Sequence, residues 1–246
     1  MPFRLPTPVL LVLLGLVFTI LVALGVWQVQ RAGWRAELVA TRNAQLSGKP
    51  LGTAEARALS PDALDYRLVQ LDGTWDADHL MILANRARYG TKGENVVQPL
   101  VIAPGEAVLV DRGWYPVAQR DATLAKLRAG GTSGGVRGLA RTAEGLQASM
   151  TPAGTWTGIA PESMGTGLPY RLAPWSVIEG GVLPEDAPAP TTYPAQGFTP
   201  YTSPVPHMEY ALTWFGIAGA LAVIAVLRLV VEPRRALARE AAARST

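Results

Sequence analysis

The sequence predicts a membrane protein of α+β class: two transmembrane helices, N-terminal and C-terminal, flanking a β-rich extracytoplasmic domain. Three observations carry that class. Val9 to Trp27 holds no charged side chain, and neither does Tyr210 to Leu227. At about 1.5 Å rise per residue, each run approaches the ~30 Å of a hydrocarbon core. Between them lie short apolar runs separated by Gly and Pro turn signals, the pattern of an antiparallel sheet or small barrel.

Taken in order, residues 1–8 form an N-terminus carrying Arg4, and 9–28 the first span. A signal peptide ending near Ala23-Leu24-Gly25 is the competing reading. The run exceeds the usual h-region of about 7–15 residues, which favours an anchor. Gly15, Thr19 and Ala23 lie four apart on one helix face, as do Gly216 and Ala220 in the second span. Small residues so spaced let helix backbones approach, though Gly and Ala are common in membrane helices anyway. Trp27 and Arg31, four apart, suit either a cation–π pair or a belt tryptophan beside a snorkelling arginine.

Residues 29–183 read as the extracytoplasmic domain. Trp34 to Ala44 continues the helix. Ser60 caps a short helix whose first position is Pro61. Strands are expected over Tyr66–Leu71, His79–Ala84, Asn95–Ile102, Ala107–Val110 and Val136–Arg141. Turns are expected at Asp72-Gly73, in a Gly90-x-x-Gly93 loop, at Pro104-Gly105 and around Asp111-Arg112-Gly113-Trp114. Arg120 to Arg128 is a helix, and Gly130 to Gly135 a glycine-rich loop. The proline-rich 184–206 segment reads as an extended tether back to the membrane. Residues 207–229 form the second span, and 230–246 a basic tail.

That tail holds Arg234, Arg235, Arg239 and Arg244 against Glu232 and Glu240, which places it in the cytoplasm. With Arg4 at the other end, both termini lie inside the cell (inner) membrane and the long loop outside. Trp27, Trp34, Tyr210 and Trp214 fit aromatic belts at the outer boundary.

Composition removes several chemistries. The chain has no cysteine and two histidines, His79 and His207. Disulfides, thiolate metal sites and a single-chain multi-histidine cage are excluded. No nucleophile elbow or phosphate loop is present, so no enzyme is read here. Charges in the middle segment are interspersed, which gives no nucleic-acid stripe. Asp111 and Arg112 read as a structural ion pair, and His79 as an ordinary surface or half-buried residue.

Four segments then line up in order. Gly25-Val26-Trp27-Gln28-Val29-Gln30-Arg31 precedes Trp34-Arg35. Tyr66-Arg67 precedes Leu71-Asp72-Gly73-Thr74-Trp75. Gln98-Pro99-Leu100 precedes Val108-Leu109-Val110-Asp111-Arg112-Gly113-Trp114-Tyr115-Pro116. His207-Met208-Glu209-Tyr210-Ala211-Leu212-Thr213-Trp214-Phe215 comes last. Set between two terminal spans, these resemble the Surf-one (Surfeit-locus-one) family of cytochrome c oxidase assembly factors. Residues 145–206 match that pattern poorly.

The resemblance implies a non-enzymatic assembly factor that helps deliver or insert haem a into the large catalytic oxidase subunit. Its partners would be that subunit, the haem a synthesis machinery and the lipid bilayer. It also implies haem a binding, with His207 as a ligand to the haem iron and Trp214 nearby. Tyr210 and Trp214 would pack against the macrocycle, since positions 207, 210, 211 and 214 share a helix face. The competing reading of His207 is a boundary histidine bonding lipid headgroups or the following turn. For the whole chain it is a membrane scaffold that stabilises oxidase assembly intermediates without binding haem. A membrane-anchored sensor would need an output module that the short tail after Val231 cannot supply. A tethered hydrolase would need a catalytic constellation that the sequence lacks.

Overall fold

The computed structural model describes residues 6–142, 148–184, 186–202 and 205–244. Arg4, Gly145 and Ser245 lie outside these described residues. Two long apolar helices at the chain ends flank an α+β domain that contains a β-barrel. The chain divides into two compact units, Met1–Ala40 with Thr202–Thr246, and Thr41–Tyr201.

Helix α1 runs unbroken over Thr7–Gln45. It starts after Pro6, with Pro8 in the first turn, where a missing N–H costs nothing. Its apolar half presents bare side chains: Val12 is 70% exposed, and Leu16 and Ile20 about as open as any surface residue. Both α1 and the C-terminal helix, His207–Arg244, are long and apolar enough to cross a membrane. A helix apolar on nearly all sides is suited to lipid.

The barrel unit opens with a short strand β1 (Leu51–Gly52) and the helices α2 (Thr53–Ala58) and α3 (Pro61–Leu64). Ser60 caps α3 as expected, accepting from the Ala63 amide, with Pro61 at the first position. The strands follow: β2 (Leu68–Trp75), β3 (Met81–Arg88), β4 (Thr91–Ala103) and β5 (Glu106–Pro116). A 3₁₀ turn (Val117–Gln119) leads to α4 (Arg120–Ala129), then β6 (Ser133–Thr142), α5 (Pro161–Met164) and β7 (Arg171–Glu179). Their order is β1-β2-β6-β7-β5-β4-β3, and β2 also pairs with β4. That extra pairing, Thr74 with Val101 and Trp75 with Leu100, closes β2, β6, β7, β5 and β4 into a barrel. Closure pairs the edges of these five strands and leaves β1 and β3 as the outer strands of the sheet.

Val69, Leu71, Trp75, Leu100, Val108, Val110, Val136, Trp175 and Val177 form one core. Ala107 and Leu109, the alternate residues of β5, pack into a second core with Leu83, Val97 and Met164. Strand β5 is thus buried on both faces, which explains its near-continuous apolar run.

Three turn expectations are corrected. Asp72-Gly73 lies inside β2, opposite Gly135 and Gly134 of β6. A Cβ at Gly73 would strike the Val101 carbonyl, so the glycine serves the close approach of β4 at barrel closure. The β3–β4 hairpin turns at Tyr89-Gly90, both at positive φ, the two-residue geometry that matches strand twist. Gly93 is a strand residue beneath the Trp114 indole. Asp111–Trp114 is likewise strand, at an irregularity where the register slips between Val96 and Val97. There Gly113 adopts φ +118° and its amide donates to Asp111 Oδ1. A bulge, not a strand end, explains this motif.

The proline-rich segment differs from an extended tether. Ala195 and Phe198 are buried, and Ala195 exchanges backbone hydrogen bonds with Trp114 at 2.9 and 2.6 Å. Phe198 bridges Val182. These contacts strap residues 193–198 to the barrel, with a cis bond at Tyr193-Pro194.

After Pro206 the chain enters α6 (His207–Val226), a π-helical turn (Leu227–Val231) and α7 (Glu232–Arg244). Pro233 lacks an N–H and its ring crowds the carbonyl four residues back. That carbonyl, of Leu229, sits in the π turn, which absorbs the misfit without ending the helix.

Candidate functional site

Along α6 the less exposed positions are His207, Ala211, Trp214, Ala218, Leu221, Ala222 and Ala225. From His207 to Leu221 their spacing alternates between four and three, so they form one seam. The matching positions of α1 include Leu21, Gly25 and Gln28. The two helices meet along these rows: a Cβ at Gly25 would fall 2.5 Å from the Phe215 ring. Close packing therefore runs through Gly25, Ala211 and Ala218. Gly15 and Gly216 meet nothing within 4 Å, so the expected small-residue stripes are not the contact.

At the head of the seam, His207 Nδ1 lies 2.8 Å from Gln28 Oε1. An amide oxygen only accepts, so this pairing with Oε1 calls for the Nδ1–H tautomer of the ring. The lone pair of the neutral ring is then on Nε2, the nitrogen left for a ligand. Both side chains are half-buried.

The other singled-out residues divide. Trp214, two turns on from His207, shares its seam and is half-buried. Tyr210 is 50% exposed and borders the seam, where Ala211 is the inward residue; it lies one turn before Trp214 on the same side of the helix. Arg31 stacks over Trp34, 4.2 Å from the ring centroid, and Arg35 approaches the same ring at 5.3 Å. Trp27, the sequence-based partner for Arg31, is 54% exposed. Gln28 lies within the first motif, but glutamine in a helix gives no signal until the facing helix is known.

The second imidazole, His79, is in the barrel unit. Asp76 Oδ1 accepts from the Asp78 and His79 amides, at 2.9 and 3.1 Å. Its Oδ2 lies 2.7 Å from both His79 Nδ1 and the Tyr170 hydroxyl. Burial pushes the Asp76 carboxyl up, but these hydrogen bonds outweigh it and hold the group below its ordinary range. Burial, helped by the same carboxylate, pushes the Tyr170 hydroxyl up, so it remains a donor. This is a satisfied turn rather than a ligand set. Among the described residues no group of three or more His, Asp or Glu is placed to hold a metal ion.

Asp111 and Arg112 do not pair with each other. Asp111 accepts from Asn95 Nδ2 at 2.7 Å and from the Gly113 amide. Burial pushes its carboxyl up, against those two bonds. Arg112 turns to the other face. It binds Glu179 at 2.5 Å and Gln98 Oε1 at 2.5 Å, and lies 3.9 Å from the Trp75 ring centroid. Gln98 Nε2 in turn donates to the Asp76 carbonyl at 3.1 Å. The motif residues thus tie β5 to β7, β4 and β2 from within the barrel wall. Burial raises the Glu179 carboxyl, while Arg112 and Gln196 act to lower it.

Comparison with known proteins gives one consistent family. The SURF1 family model matches residues 15–219. A SURF1-like protein of Monosiga brevicollis is 30% identical over 213 residues, 79% of this chain and 78% of that protein. A SURF1-like protein of Rickettsia felis is 26% identical over 216 residues, 85% of this chain and 92% of that one. The cytochrome oxidase assembly protein SHY1 of Saccharomyces cerevisiae is 32% identical over 110 residues, 42% of this chain and 28% of the yeast protein.

Proposed function

The chain belongs to the SURF1 family, and from that premise we propose that it is a non-enzymatic assembly factor for cytochrome oxidase. The yeast relative bears that role in its name. The cargo in this reading is haem a, handed on to the large catalytic subunit. His207 binds the haem iron and Trp214 lies beside the ring.

The observation that carries the reading is the anchored imidazole. His207 is one of two in the chain, and Gln28 holds its Nδ1 while Nε2 keeps the lone pair. Neutral imidazole nitrogen is a good ligand for haem iron. His207 would therefore be the residue that holds the iron, through Nε2. Trp214 adds a half-buried aromatic face on the same seam, and the exposed apolar side chains around it suit the long hydrocarbon tail of haem a. Tyr210, one turn before Trp214 and 50% exposed, packs against the macrocycle from the exposed side of the same helix. One histidine supplies one ligand, so the second comes from another subunit, another side chain or water. Single ligation gives weak binding, which suits transfer.

In this reading both ends of the chain lie in the cytoplasm and the barrel is extracytoplasmic. The support is the arginine-rich tail after Leu227. The chain lacks cysteine, so single cysteines report cleanly. Ser133→Cys is expected to react with a membrane-impermeant thiol reagent in intact cells and Ser245→Cys to be protected. The opposite labelling inverts the topology.

The function is tested by His207→Ala and Trp214→Ala in a strain that makes haem a. His207→Ala is expected to lose the haem a absorbance of the purified protein and to reduce oxidase maturation. Trp214→Ala is expected to weaken both. A His207→Ala protein that keeps its haem a spectrum and full maturation removes the ligand role and leaves a scaffold that stabilises assembly intermediates.

A further inference from the structure

We propose that Gln28 is the positioning residue of the candidate haem site: it sets the tautomer and ring plane of His207 across the helix pair. The inference rests on His207 being the ligand, and extends that reading to a residue on the other helix.

The geometry supplies the argument. The two side chains come from positions 179 apart in sequence, yet Oε1 and Nδ1 are 2.8 Å apart. Glycine at position 25, one turn before Gln28, lets the helices approach there. At this distance the amide reaches the ring without a bridging water. A free neutral imidazole favours the proton on Nε2, the nitrogen a ligand role needs bare. An acceptor fixed at Nδ1 reverses that preference. It also stops rotation of the ring about its Cβ–Cγ bond, so the Nε2 lone pair keeps one direction. Partners of this kind behind a metal-binding histidine typically change metal affinity by about 10–100-fold when removed. A glutamine does this without adding a charge at a lipid boundary, where an ionised carboxylate would cost more.

The test has two readouts, one of which needs no haem. In full-length protein labelled with ¹⁵N-histidine and purified without haem, the ring nitrogens report the tautomer. His79→Gln leaves the His207 signals alone in the spectrum. The expected wild-type pattern is Nδ1–H with bare Nε2. Gln28→Leu, similar in size but unable to accept, is expected to shift the population toward Nε2–H. Gln28→Glu keeps an acceptor oxygen in either protonation state and is expected to retain the wild-type pattern. In protein from cells making haem a, Gln28→Leu is expected to lower haem a affinity by about tenfold or more, and Gln28→Glu to restore most of it.

An unchanged tautomer in Gln28→Leu overturns the proposal. So does unchanged haem affinity in Gln28→Leu when His207→Ala has lost it, and in that case the ligand role stands alone. Haem retained in His207→Ala overturns the ligand reading itself, and the positioning role with it.

Discussion

Replacing Arg112 with alanine is expected to lower the stability of the barrel by about 3–5 kcal/mol, the cost of breaking a buried pair from one side. The Arg112 and Glu179 side chains are 16% and 13% exposed. The substitution leaves the Glu179 carboxylate without its cation, strands Gln98 Oε1, and uncovers the Trp75 ring. The loss depends on pH in a definite direction. Burial already raises the Glu179 carboxyl, and Arg112 is its main opponent. Without Arg112 the folded carboxyl rises further above its unfolded value, so the folded state holds a proton that the unfolded state releases. Stability then falls as pH rises from the unfolded carboxylate range through the raised folded value. Denaturant unfolding of the detergent-solubilised chain, followed by far-ultraviolet circular dichroism at pH 4.5 and pH 7.5, measures this. The deficit is expected to be larger at pH 7.5. A loss under about 1 kcal/mol at both values would mean that the pair acts as a surface salt bridge.

Trp114→Ala is the other large effect, about 3–5 kcal/mol. The indole is 2% exposed. It covers Gly93, donates from Nε1 to the Arg86 carbonyl at 2.7 Å, and meets the Tyr89 and Tyr193 rings edge-on, each 6.0 Å away between centroids. It also lies at the residue whose backbone pairs with Ala195. Truncation therefore opens a cavity and loosens the 193–198 strap together. Limited proteolysis is expected to cut the variant within that strap before the barrel. Trp114→Phe keeps most of the volume and loses the hydrogen bond, so its cost should be nearer the 1–3 kcal/mol of one unpaired buried carbonyl. Equal losses in the two variants would assign the effect to the hydrogen bond and not to packing.

Both effects come from Asp111–Trp114, whose residues signal a turn at a strand end but form a strand. Turn signals in Asp-Arg-Gly-Trp are the same whether glycine serves a loop or a bulge. Only the facing strand, with its register slip at Val96/Val97, distinguishes them. Asp72-Gly73 fails for a related reason. Its glycine answers a close approach by β4, a contact 28 residues distant in sequence at Val101.

What the sequence determined by itself is the part that rests on local physics. Uncharged runs long enough to cross a membrane mark α1 and α6, because length and apolar composition are properties of the run itself and not of its partners. The Ser60-Pro61 cap and the Pro104-Gly105 turn follow from side-chain and backbone geometry over a few residues. The β character of the middle and the four ordered motifs of the family are legible in the same way. What only the tertiary structure decided depends on distant partners. Closure of the barrel through β2 and β4, the pairing of Arg112 with Glu179 and not Asp111, and the strap at Ala195 each join segments far apart in the chain. The candidate site divides along the same line. His207 was legible as one of two imidazoles beside an apolar run, but Gln28 was not. The role proposed for it depends on Oε1 of α1 facing the ring on α6, and the periodicity of either helix alone says nothing about which residue lies opposite.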